Sequence, residues 1–216
     1  MKLYAIVGSP NSRKVLAVAH HTGIALDIEY LDLFQGDTQS PSYQAINPNA
    51  MVPALVDGDF KLWESNAINQ YLADKSANDS LFPADAKLRA DIVRWQCWEL
   101  AHFNQAFGTL ALEAVAKPNF MNIQGDQAVI DWCKNQLNRF AAVLDQHMQT
   151  RQYLIGEHIT IADYSMIHVE FFKEQIPFDW TPFPHLNAYF ERVRACPHWA
   201  KTQPESLDAI GRVPQL

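Results

Sequence analysis

The chain has 216 residues and a mass of 24.6 kDa, with 48% hydrophobic and 19% charged residues and a formal net charge of −7. That is enough apolar material for a packed core and enough length for two domains, which excludes a disordered chain. The acidic balance, present on both sides of residue 76, argues against nucleic acid or an anionic membrane as partner, because neutralising phosphates needs a basic excess.

Leu3 to Val7 is a short apolar run stopped by Gly8, and reads as a buried strand. It is too brief for a secretory leader, and no stretch approaches the ~20 apolar residues of a membrane span. A helix follows over Asn11 to Thr22, with Val15, Leu16 and Ala19 inward and Gly23 as its stop. Leu26 to Leu31 alternates as a half-buried strand, and Phe34 to Asn49 is a turn-rich connection. Ala54 to Val56 and Phe60 to Trp63 form a hairpin around Asp57-Gly58-Asp59, and Glu64 to Lys75 is a helix. Ser76 to Pro83 reads as the linker.

After about Asp85 the chain reads helical. Leu88 to Val115 is amphipathic, and Ala128 to Thr150 carries the stripe Val129, Cys133, Leu137, Phe140, Leu144 and Met148. Thr160 and Asp163 form a capping box with an acid one methylene shorter than usual. A last helix spans Phe183 to Ala195. The domain expectation is 1–78 as an α/β unit and 85–216 as an all-α helical bundle.

Cys97, Cys133 and Cys196 are odd in number and widely spaced, neither a disulfide framework nor a CxxC site, and suit a reducing cytoplasm. The eight histidines show no ligand spacing, so no metal is expected. Gly8-Ser9 lacks the glycine and lysine spacing of a phosphate loop.

Three segments can carry chemistry. Ser9-Pro10-Asn11-Ser12-Arg13-Lys14 joins the first strand to the first helix. A Ser before Pro is also a plain N-cap with an N1 proline. However, Arg13 and Lys14 in the first turn oppose the macrodipole and, with free N–H groups, make the helix start a place for an anion. Val52-Pro53 opens the third strand, either as an ordinary edge proline or as a cis turn that offers Val52 to an extended peptide. Glu64-Ser65 enters the next helix, as a cap or as a pair able to hold an α-amino-acid head group.

The order strand-Ser-x-x-x-Arg, Asn47-Pro48-x-x-x-Val52-Pro53-Ala54-Leu55, Glu64-Ser65-x-Ala67-Ile68-x-x-Tyr71-Leu72 and Ile159-Thr160-Ile161-Ala162-Asp163 resembles the cytosolic glutathione transferases over nearly the whole chain. The likeness is to the serine-type theta, phi and delta classes and to bacterial nu-like members. The resemblance implies a thioredoxin-like N-terminal domain that binds glutathione as co-substrate and a helical domain that completes the electrophile pocket. It also implies a homodimer. It places Ser9 on the glutathione sulfur, with Asn11 a second candidate and Ser12 a third. Val52 is matched to the cysteinyl unit before a cis Pro53, and Glu64 and Ser65 to the γ-glutamyl end. Gln39 and Met51 complete the expected contacts. Thr38-Gln39 stands where theta and phi members carry His-Lys, and Ala50 where delta members carry His, so the glycyl carboxylate is held differently. His102, Phe103 and Phe107 are candidates for the electrophile wall; ordinary core packing explains the same residue types, as it does the aromatic stretch Arg94, Trp95 and Trp98.

Chemically, a free thiol with pKa ~8.5 is mostly protonated at pH 7. Lowering it by ~2 units takes about 2.7 kcal/mol, within the ~1.5–3 kcal/mol of a hydrogen bond to a charged group. The implied activity is conjugation of glutathione to small hydrophobic electrophiles. A disulfide or peroxide reductase using Asn11, and a non-catalytic binding protein, are the competing readings.

Overall fold

The computed structural model describes residues 1–77 and 79–214; Asn78, Gln215 and Leu216, and the side chain of Leu207, lie outside the described residues. The expected domain limits at 78 and 216 therefore fall on undescribed positions. The chain divides into one unit of Met1–Phe82 with Ala195–Leu216 and another of Pro83–Arg194.

In the first unit, strands β1 (Lys2–Ala5), β2 (Asp27–Tyr30), β3 (Ala54–Asp57) and β4 (Phe60–Trp63) form a sheet in the order β2-β1-β3-β4. β1 pairs parallel with β2 and antiparallel with β3, Leu3 lying opposite Ile28 and Leu55. β3 and β4 form the hairpin expected from the Asp-Gly turn, with Asp57 opposite Phe60. Leu3 and Ala5 share one face of β1 and are wholly buried, while Lys2 and Tyr4 on the other face are half-buried. Parallel pairing of β1 and β2 requires a crossover, and α1 (Pro10–Thr22) supplies it. It starts at Ser9 with Pro10 in its first turn and stops at Gly23, whose φ of 73° is the left-handed conformation glycine takes without a Cβ clash. Residues Ser12 to Ala19 of α1 are all buried, because the helix is covered on several sides. Helices α2 (Pro41–Gln44) and α3 (Ser65–Lys75) complete the βαβ-ββα order.

In the second unit, α4 (Ala86–Trp98) runs through a π-helical turn at Glu99–Phe103 into α5 (Asn104–Ala111) and a second π-helical stretch to Met121. The expected single amphipathic helix is thus longer and twice loosened, ending at Asn122 with a φ of 55°. Helix α6 (Gln127–Met148) buries Ile130, Cys133, Leu137, Ala141, Leu144 and Met148, close to the expected stripe. The capping box opens α7 (Ile161–Met166), and α8 (Pro184–Arg194) follows. No described helix is long and apolar enough to cross a membrane.

One boundary differs from the sequence reading. Residues 195–214, assigned there to the helical domain, pack with the first unit. The reason is α9 (Pro197–Ala200), whose Trp199 is wholly buried beneath Arg13 of α1, 4.2 Å from guanidinium carbon to ring centroid.

Candidate active site

Ser9 leaves β1 as the N-cap of α1. Its N–H donates to Ile6 C=O (3.1 Å), its C=O accepts from Arg13 N–H (2.9 Å), and its Oγ accepts from Ser12 N–H (3.4 Å). The hydroxyl hydrogen has no acceptor among the described residues, so the cap leaves the donor available. Ser12 differs: it is buried, and its Oγ accepts from Ile6 N–H (3.2 Å), pinning α1 to the end of β1. That contact removes it as an open candidate.

Asn11 is exposed, and its Oδ1 accepts from Ser65 Oγ at 3.4 Å. The bond joins the first turns of α1 and α3, neither of which holds an acid. Two helix N-termini therefore lie together, a field that favours an anion, with Glu64 as the one acid at the start of α3. Glu64, the residue before α3, has φ 73° and ψ 112° and makes no side-chain cap bond. A non-glycine residue there costs roughly 1–3 kcal/mol, so this exposed carboxylate is held in a strained backbone at the mouth of the site.

The anion argument for Arg13 and Lys14 needs correction. Both are buried, and Arg13 Nε donates to Thr202 Oγ1 (2.9 Å) while its guanidinium stacks on Trp199. Because α1 is enclosed, Arg13 faces α9 and Lys14 is wholly buried. The local positive field comes from the helix ends.

The Val52–Pro53 peptide is cis. Just before it, the Met51 C=O accepts from Tyr43 OH (2.5 Å) and from Asn47 Nδ2 (2.7 Å), and the Asn47 Oδ1 accepts from Asn49 N–H (3.1 Å). Asn47 is thus the brace that makes the Asn-Pro segment a turn. The Met51 side chain is exposed. Val52 packs on the cluster of Ile6, Leu31, Tyr43 and Ala54, and its backbone has no hydrogen-bond partner among the described residues. A strand-like ligand would find both groups open. Burial of Tyr43 pushes its hydroxyl up to about 12, so it stays a proton donor to Met51. Gln39 is exposed, and its C=O accepts from Gln44 Nε2 (3.1 Å), which leaves its own amide outward; neighbouring Thr38 is buried. Ala50 takes a φ of 54°.

The structure links Asn11 to Ser65 directly, whereas Gln39, Met51 and Val52 share a separate segment held by Tyr43 and Asn47. Those two braces went unassigned in the sequence reading, although Asn-Pro is itself a turn signal. Phe103 and Phe107 do not form an open wall. Both are buried, stacked at 6.5 Å, with Phe107 also against His168 and Trp180 of the helical unit. The core-packing reading is the one their surroundings match. His102 is exposed and lies against Phe140, beside a cavity of about 200 Å³ that Trp132 and Arg139 also line.

Comparison with known proteins bears on the whole chain. Residues 1–74 match the family model "Glutathione S-transferase, N-terminal domain" and residues 104–197 its C-terminal counterpart. The chain is 32% identical to glutathione S-transferase 3 of Zea mays over 207 residues, covering 94% of this chain and 92% of that protein. It is 27% identical to glutathione S-transferase D6 of Drosophila melanogaster, covering 92% and 90%. The solved theta-class glutathione S-transferase of Xanthomonas axonopodis pv. citri, with glutathione bound, superposes with a TM-score of 0.83 at 30% identity, covering 95% and 98%. Glutathione transferase F7 of Populus trichocarpa gives 0.84 at 25% identity, covering 93% and 96%. With both halves matched and the thioredoxin-like sheet, paired helix starts and open Ser9 hydroxyl in place, the chain belongs to the glutathione S-transferase family.

Proposed function

We propose that the chain activates glutathione at Ser9 and transfers it to small hydrophobic electrophiles. The observation that carries this is the Ser9 hydroxyl, fixed at the start of α1 with its proton uncommitted among the described residues. Donated to the glutathione sulfur, that proton stabilises the thiolate, and the adjoining helix ends add to it. The thiol proton leaves to solvent, the sulfur pair forms the new bond to carbon, and the leaving group departs with its own electron pair.

Residues 1–78 are the proposed glutathione-binding domain. Val52 pairs its backbone with the cysteinyl unit beside Pro53, with Met51 flanking. Glu64 takes the ammonium and Ser65 the carboxylate of the γ-glutamyl end. Gln39 supplies a neutral donor for the glycyl end where theta and phi members carry a cation. The helical part of 85–216 recognises the electrophile. There His102 offers the open side chain, and Phe103 and Phe107 act by packing the helix beneath it. Proximity of two bound reactants supplies the rest of the acceleration.

Calorimetric titration with glutathione, beside a conjugation assay of wild type and Ser9→Ala, tests the reading. Full activity in Ser9→Ala at unchanged stability removes Ser9 from the mechanism, and no heat at millimolar glutathione supports the non-catalytic alternative. The contact of Asn11 with Ser65 keeps one second reading, glutathione-dependent disulfide or peroxide reduction. It predicts that Asn11→Ala loses disulfide reduction while keeping conjugation.

The free cysteines fit a reducing cytoplasm, where such an enzyme would clear reactive compounds. A homodimer is the proposed assembly. Exposed Phe60 and Trp63 on the first unit, and an aromatic cavity of about 410 Å³ lined by Trp95, Trp98 and His147 on the second, are surfaces that a second copy would cover. Sedimentation at micromolar concentration that shows only monomer rejects it.

A further inference from the structure

Residues 195–214 grip the Ser9 loop from both of its flanks. Upstream, Gly211 N–H donates to Val7 C=O (2.9 Å) and Gly211 C=O accepts from Leu33 N–H (2.7 Å). One residue thus ties the exit of β1 to the loop after β2. Ile210 lies directly on Gly8, where an added Cβ would meet Ile210 Cγ1 at 2.9 Å. Both glycines sit at positive φ, 75° and 80°, and at Gly211 a Cβ would meet the Phe34 ring at 3.0 Å. The contact therefore needs glycine on each side. The Arg212 guanidinium lies 5.1 Å from the Phe34 ring centroid and closes the strap. Downstream, Arg13 donates its N–H to Ser9 C=O, and its side chain is held by Thr202 and the buried Trp199.

We infer that residues 196–212 are a positioning clamp for Ser9, with Ile210 and Gly211 holding Val7–Gly8 and Trp199 and Thr202 holding Arg13. The inference rests on Ser9 being the donor to the glutathione sulfur. Helix starts are the part of a helix least restrained by its own bonds. The Ser9–Ser12 cap bond is at the long end of hydrogen-bond range, 3.4 Å. A hydroxyl that must meet a thiolate without reorganising needs the loop before it and the turn after it held from outside. The C-terminal segment does both, so its effect on chemistry runs through Ser9 although it touches no reacting atom.

The test uses the full chain with Ile210→Ala, which keeps every backbone bond, and a chain ending at Asp208, which loses the strap but keeps Trp199 and Thr202. Amide exchange at Gly8 and Ser9, kcat and KM for glutathione, and the bound thiol's pKa from thiolate absorbance are measured on both. The clamp predicts exchange at least about tenfold faster at Gly8 and Ser9 and a raised bound-thiol pKa. It also predicts a kcat lower by about ten- to a hundredfold, with KM within about twofold. Unchanged exchange in Ile210→Ala overturns it, even with a fully active wild type. Faster exchange with unchanged thiol pKa and kcat also overturns it, because the strap is then structural only. If the shortened chain does not fold, Ile210→Ala decides alone. A wild type that leaves glutathione unreacted rejects the Ser9 reading itself, a different result from any of these.

Discussion

The Ser9 Oγ accepts from Ser12 N–H as a cap and offers its own proton outward, so Ser9→Ala removes two interactions that separate measurements resolve. Loss of the cap costs about 0.5–2 kcal/mol, read as a lower urea midpoint. Loss of the donor costs about 1.5–3 kcal/mol of thiolate stabilisation, read as kcat/KM lower by about ten- to a hundredfold. Ser9→Thr keeps both groups and is expected to restore most of each. Glu64 gives the opposite pairing of effects. Its φ of 73° is relieved by glycine, so Glu64→Gly is expected to raise stability by up to about 2 kcal/mol, after the roughly 1 kcal/mol that glycine loses in chain entropy. The same change removes the carboxylate proposed for the ammonium, so calorimetry should show weaker glutathione binding. A variant that is both less stable and equally tight would remove the strain argument.

At the scale of elements, the start of α7 is a heavily satisfied helix end. Asp163 is wholly buried and accepts from Leu154 N–H (2.9 Å), Thr160 N–H (2.7 Å) and Tyr189 OH (3.1 Å), tying three segments together. Asp163→Ala leaves these donors buried without an acceptor, at about 1–3 kcal/mol each before relaxation, and is expected to be among the most destabilising single changes in urea. Burial outweighs those donors and raises the Asp163 carboxyl from 3.8 to about 6. A raised folded-state value binds the proton more tightly than the unfolded chain does. Its contribution to stability is thus fully present below 3.8 and lost as pH rises through about 6. Wild type should therefore gain on Asp163→Asn as the medium is acidified across that window. A constant difference would show that Asp163 does not titrate there.

Across the whole molecule, a second device responds to acid in the opposite sense. The rings of His21 on α1 and His198 on α9 stack at 4.5 Å. Burial lowers both below 6.5, each helped by a neighbouring cation, His198 itself for His21 and Lys201 for His198. Groups lowered in the folded state lend stability above 6.5 that is lost as pH falls through their folded values. His198→Gln should lessen the acid loss of the first unit, seen as a smaller fall in urea midpoint between about pH 7.5 and 5.5. An unchanged fall would mean that the stack opens without cost. This stack, like the Trp199–Arg13 contact, joins residues nearly two hundred positions apart, and no local pattern in the chain announces either. The elements themselves were legible, because strand alternation, the Asp-Gly hairpin, the α6 stripe and the α7 box are local consequences of side-chain size and backbone preference. The order of the motifs that carry the family likeness was legible for the same reason. Arg13 and Lys14 were misread because their helix position was visible and their enclosure was not. Phe103 and Phe107 stayed open between pocket wall and core packing, because an aromatic residue carries no mark of which side of a helix is covered. By itself the sequence determined the sheet, the helices and the family. Only the tertiary structure decided that residues 195–214 pack with the first unit, since burial and long-range hydrogen bonds exist only once distant segments have met.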